Sequence, residues 1–230
     1  MKKHICLFIL IISAFNLSAQ VSTVSLNFNS LVNNKDTLEL EKRYYFKSIQ
    51  DSLQVDVLKF YISDVKFIMD ENILASVHKK HFLINFENVL SKRIKTQISD
   101  TLKFNKIRFN IGIDSITSVS GVYGQDLDPT NGMYWTWNSG YINCKLEGSS
   151  NKFKTRKNRY AFHLGGYMSP FISMQTITLE VTQNKEIEIL INIDDFFSNL
   201  DVTRYHTILS PNRKAIVVSK HFSTVFYVEE

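Results

Sequence analysis

The sequence predicts an all-β fold, an antiparallel β-sandwich with one short helical segment near the C-terminus. Three observations carry this. Apolar and polar residues alternate over many short stretches, β-branched and aromatic residues dominate those stretches, and turn residues separate them. A period of two leaves one face apolar and one polar, as in a half-buried antiparallel strand. Many such strands without alternating long helices pack as a sandwich.

Taken in order, Leu26 and Phe28 share a face of the first strand. Val55 and Val57 share another, and Phe60 and Ile62 open a further alternating set. Phe82, Ile84 and Phe86 alternate in HFLINFENV, and Ile107, Phe109, Ile111 and Ile113 in KIRFNIGID. Ile142, Cys144 and Leu146 form the next set, followed by Ile177, Leu179 and Val181, then Ile187, Ile189, Ile191 and Ile193. The helical candidate covers residues 195–209 and stops before Pro211. No repeat, low-complexity linker or composition break divides residues 20–230, so they read as one domain.

Residues 1–19 read as a signal peptide. Lys2 and Lys3 form its basic start, residues 5–15 its apolar run, and Leu17-Ser18-Ala19 the small-residue cleavage site before Gln20. Cys6 lies inside the apolar run and does not mark a lipoprotein. The expected location is periplasmic or secreted. Losing two lysines and no acid lowers the formal charge from +5 to +3. That excess is spread along the chain and excludes a nucleic-acid footprint. Cys144 is then the one remaining cysteine, so an ordinary core rather than an internal disulfide must stabilise the domain. No later apolar run reaches membrane-spanning length.

The chain has no phosphate loop, GxSxG elbow, HExxH or CxxC, and no enzymatic activity is expected. Nothing in the sequence brings Asp114 and Asp126 together. Residues 124–132, GQDLDPTNG, resemble a calcium loop faintly, but the glycine falls one position late and no glutamate closes the loop. They read as a turn shaped by Pro129 and Asn131-Gly132.

Both tryptophans, Trp135 and Trp137, stand two residues apart in GMYWTWNSGY. On a strand they would share a face, either as an aromatic core pair or as a site that uses an indole. Among the histidines, His78 and His81 flank two lysines and read as a solvated loop or strand entry. His163, in YAFHLGG, opposes the face shared by Phe162 and Leu164, with Gly165 and Gly166 beside it. It reads as a satisfied structural histidine or as a metal ligand, since imidazole suits copper, zinc, nickel and iron. His206 falls in the helical candidate, and His221 carries no signal of its own.

Several segments, in order, resemble the MbnP-like family of exported copper-binding proteins. They are residues 58–65, LKFYISDV; residues 107–114, IRFNIGID; residues 127–132, LDPTNG, running into MYWTWNSGY; and residues 162–165, FHLG. The resemblance implies a β-sandwich holding one copper ion, usually Cu(I), through histidine. In some members a tryptophan is oxidised to kynurenine, whose amine joins the site, by a partner di-haem enzyme of the peroxidase type. Here Trp135 or Trp137 would be that tryptophan. The first strand, SLNFNSL, and Asn138 lack histidines expected of well-studied members. His163 and His206 are therefore the expected ligands, with soft sulfur from Met133, Met168 or Met174 completing a Cu(I) site. Cys144 alternates with apolar neighbours and reads as a buried structural thiol. The expected role is copper acquisition, storage or delivery. The alternative is a metal-free sandwich whose surface aromatics meet a glycan or a partner protein.

Overall fold

The computed structural model describes residues 20–33, 35–138 and 140–229. The signal-peptide reading lies outside the described residues. Among the described residues the strands follow in order: β1 Val21–Val32, β2 Asp36–Thr37, β3 Arg43–Phe46, β4 Asp51–Met69, β5 Asn72–Ser76, β6 His81–Asn85, β7 Arg93–Ser99, β8 Lys106–Ile111, β9 Tyr134–Trp135, β10 Gly140–Ser150, β11 Arg159–Gly165, β12 Gln175–Glu180, β13 Glu186–Asn192, β14 Thr207–Ile208 and β15 Phe226–Val228. The α-helices α1 Ser115–Val119, α2 Ile193–Ser198 and α3 Arg213–Ser223 interrupt them.

The strands form two sheets. The smaller runs β15-β13-β1-β2, with β7 also on β1. The larger runs β12-β8-β4-β10-β11-β14, and β3, β5, β6 and β9 attach to β4 or β10. The alternating faces meet between the sheets. The Phe28 ring of β1 lies 6.1 Å from Phe60 of β4 and 5.9 Å from Phe109 of β8, edge-on to both. Phe222 of α3 closes one end of this core, 5.9 Å from Phe60. The mostly β sandwich expected from the sequence is the fold observed. Its sheets are mixed rather than wholly antiparallel, because β1 pairs with β13, and β11 with β14, in parallel.

A second, smaller core lies on the outer face of the larger sheet. It gathers Tyr61, Leu83, Ile113, Leu127, Met133, Trp135, Tyr141 and Ile142. Tyr61 reaches it because the residue between two inward side chains, Phe60 and Ile62, points outward. Burial pushes the Tyr61 phenol well above its ordinary value, and its hydroxyl donates to the Asp126 carbonyl at 3.1 Å.

Two local expectations are corrected. Ile142 does not share a face with Cys144 and Leu146. A bulge at Asn143, where the register with β11 shifts, turns Ile142 into the second core and leaves the other two in the first. The helix expected over residues 195–209 is split and displaced. Asn192 caps α2, accepting from the Asp195 N–H, and α2 stops at Ser198. Asp201 then holds a turn by accepting from the Thr203 N–H. Pro211 precedes a helix instead of ending one: Asn212 caps α3 by accepting from the Ala215 N–H at 3.0 Å.

Candidate functional site

The segment holding Trp135 and Trp137 folds across the outer face of the larger sheet. β9 is only two residues long and pairs with the start of β10, Trp135 opposite Gly140. Trp137 sits in the turn that follows, where the Asn138 N–H donates to the Trp135 carbonyl. The rings still meet, with centroids 6.0 Å apart and planes tilted by 51°. Their exposures differ sharply: Trp135 is 6% exposed and Trp137 65%. The turn, rather than a shared strand face, sets the pair.

Trp135 lies against β11. A Cβ on Gly165 would come within 2.6 Å of the Trp135 ring, so this close approach needs glycine. Phe162 and Leu164 point into the first core, so Ala161, His163 and Gly165 take the outer face. The ring of Trp135 and the imidazole of His163 therefore occupy the same face of one strand, two positions apart.

On that face His163 Nε2 lies 2.6 Å from Glu147 Oε1 of β10, and Lys145 Nζ lies 3.6 Å from the same oxygen. The His163 hydrogen bond, with Lys145 adding to it, holds the Glu147 carboxyl below its ordinary value against the opposing effect of burial.

Next to Trp135 a cleft of about 430 Å³ opens. Trp135, Trp137, Asn138 and Gly140 line it together with residues 166–171 and with Ser210 and Pro211. The 166–171 segment is anchored by a buried polar relay. Asn143, at the bulge, accepts from the Ile113 N–H at 3.0 Å and donates to Ser173 Oγ at 2.9 Å. The Ser173 hydroxyl and N–H both reach the Gly166 carbonyl.

The remaining predicted positions are engaged elsewhere. Met133 is fully buried in the second core, and its carbonyl accepts from the Ile142 N–H. His206 lies just before β14, not on a helix, with Nδ1 3.1 Å from Thr207 Oγ1. His81 is not solvated: it opens β6, with Nε2 3.5 Å from Asp114 Oδ2. His221 is bound to the Phe196 carbonyl and stacks on the Phe196 ring. Cys144 is buried, and burial pushes its thiol well up, as a structural cysteine requires. Asp114 and Asp126 have separate partners, Thr117 and Lys79. The turn expected over residues 124–132 is a pair of short 3₁₀ turns ending at Gly132 in the left-handed region, φ 71°.

Two of the recognised motifs, MYWTWNSGY and FHLG, thus converge on one face. A family profile described as MbnP matches residues 21–212. The chain belongs to the MbnP family. A solved structure, MbnP from Methylosinus trichosporium, aligns with a TM-score of 0.62 at 10% identity, covering 80% of each chain. At that identity the likeness concerns the fold. No curated protein sequence matches the chain.

The implied copper can be tested against these MbnP-family residues. Among the described residues, no three His, Cys, Asp or Glu side chains are grouped to hold a metal ion. His163 pairs with Glu147, His206 with Thr207, and Met133 with the second core. Among the described residues, His, Cys, Asp and Glu side chains alone thus supply no closed three-ligand centre.

Sequence reasoning misses Glu147 and the cleft residues Tyr167 and Phe171. Glu147 depends on the β10–β11 register, which pairs Lys145 with His163 and Glu147 with Ala161. The YMSPF run after two glycines carried an aromatic and proline signal for the cleft wall.

Proposed function

We propose that this MbnP-family chain is exported and handles copper, in acquisition, storage or delivery, at the outer face shared by Trp135 and His163. The convergence of the two motifs on that face supports this reading most directly. His163 is the imidazole anchor, and Glu147 fixes its ring, as carboxylates commonly do for metal-binding histidines.

The incomplete donor set has a chemical remedy within the family resemblance. In the conversion of an indole to kynurenine, a peroxide oxidant cleaves the C2–C3 bond, C2 leaves as formate after hydrolysis, and the ring N–H becomes an aryl amine, which is a further nitrogen donor. Trp135, beside Gly165 on the His163 face, is the indole whose conversion would add a donor there. A di-haem enzyme of the peroxidase type is the partner for that oxidation.

Protein purified from its own host, and unmodified recombinant protein, are compared by intact mass, by fragmentation of the peptide holding Trp135 and Trp137, and by competition with a Cu(I) chelator. The host protein should carry the change at Trp135 and bind copper more tightly than the recombinant form. His163→Ala in the host should lower affinity at least 10- to 100-fold, the loss typical of removing even a supporting partner. Unmodified host protein that binds no copper, or equal binding by wild type and His163→Ala, would refute the proposal.

A further inference from the structure

Beyond the copper reading and independent of it, we infer that the cleft beside Trp137 binds a neutral saccharide through stacking on its aromatic wall. Four features point to this ligand class.

The first is the wall itself. Trp137 is 65% exposed and Phe171 37%, and both line the same cleft. Large rings left open to water at a concave site are the usual anchors of recognition. They offer flat faces to the C–H faces of a sugar ring.

The second is charge. Among the described residues, no Asp, Glu, Lys, Arg or His lines the cleft. A phosphate or a carboxylate ligand would lose its hydration and meet no opposite charge.

The third is the polar complement. Asn138, Ser169 and Ser210 line the cleft, and among the described residues their side chains make no hydrogen bond. A wholly apolar ligand, such as an acyl chain, would cover these groups and leave them unsatisfied. A ligand with apolar faces and neutral hydroxyl edges satisfies the rings and these polar groups at once.

The fourth is preorganisation. Gly166, at φ +129°, lets the 166–171 segment turn tightly. A Cβ there would come within 2.1 Å of the Phe171 carbonyl oxygen. The Phe171 N–H donates to the Met168 carbonyl at 2.7 Å, and the Asn143–Ser173 relay ties the loop to the sheet. A wall held in place before binding lowers the ordering cost of association.

The test titrates cellohexaose, xylohexaose, laminarihexaose, mannohexaose and chitohexaose into recombinant, unmodified protein with a copper chelator present. Tryptophan fluorescence and saturation-transfer NMR report binding. Failure here therefore leaves the copper reading standing, and the reverse also holds. At least one sugar should bind with Kd of about 1 mM or tighter. Trp137→Ala should weaken it by about tenfold or more, and Trp137→Phe by less, because a smaller ring remains. Trp137 is exposed, so both variants should keep the wild-type thermal midpoint. No binding by any of the five sugars, unchanged affinity in Trp137→Ala, or occupation of the cleft by a proline-rich peptide or a fatty acid in their place would overturn the inference.

Discussion

Glu147 and His163 are only 22% and 18% exposed at the side chain, so water screens their 2.6 Å contact incompletely. The His163 hydrogen bond holds the Glu147 carboxyl below its ordinary value of 4.5, and Lys145 adds to the effect. The unfolded chain loses both neighbours and titrates near that ordinary value. Between the two pH values it binds more protons than the folded chain, so stability rises with pH across that window. The contribution is complete above about pH 4.5 and is lost as the pH falls through the folded value. Glu147→Gln should accordingly flatten the decline in denaturant midpoint between neutral and acid pH. An unchanged decline would show that the pair contributes nothing to folding. At this scale the outward direction of His163 is legible from its apolar neighbours Phe162 and Leu164. Its partner is not, because which β10 residue stands beside it follows from pairing between strands.

The bulge in β10 does two jobs as an element. It swings Ile142 into the second core, and it frees Asn143 to bridge Gly112–Ile113 and Ser173. Gly112 sits at φ +117°, and a Cβ there would lie 2.5 Å from Asn143 Cγ, so the glycine and the bulge fit one another. Asn143→Ala would leave the buried Ile113 N–H without its acceptor and the Ser173 hydroxyl without its donor. Such a loss costs about 1–3 kcal/mol. Hydrogen exchange should speed up at Ile113 and at the Ser173 amide, which holds the cleft wall, while β1 keeps its protection. Exchange unchanged at both amides would count against the relay as the anchor of that wall. Long alternating strands were legible from their period of two, because burial on one face imposes it directly. The bulge was not, since Ile142, Cys144 and Leu146 keep an unbroken alternation in sequence. The C-terminal helix was misplaced for a related reason. Pro211 can stop a helix or precede one, and the capping Asn212 with Ala215, Val218 and Phe222 at helical spacing decides for the second.

At the scale of the whole molecule, the two cores divide the work. The core between the sheets is built from rings that interlock edge-to-face, and the MbnP fold is recognisable in the Methylosinus protein at 10% identity, as expected where pattern and volume matter more than residue identity. The outer core and the cleft are laid over the larger sheet by loops and short elements, and they carry the tryptophan motif. Disruption should therefore be unequal. Phe28 is fully buried and meets two rings of the opposite sheet, so Phe28→Ala removes contacts to both β4 and β8 and leaves a cavity. The expected loss is about 3–5 kcal/mol. Trp137→Ala, at an exposed turn, should stay within about 0.5 kcal/mol of wild type. Denaturant unfolding followed by far-ultraviolet circular dichroism measures both on the same protein. Comparable losses in the two variants would mean that the Trp137 turn is part of the folding core, and that the cleft is not an addition to a sandwich stable without it.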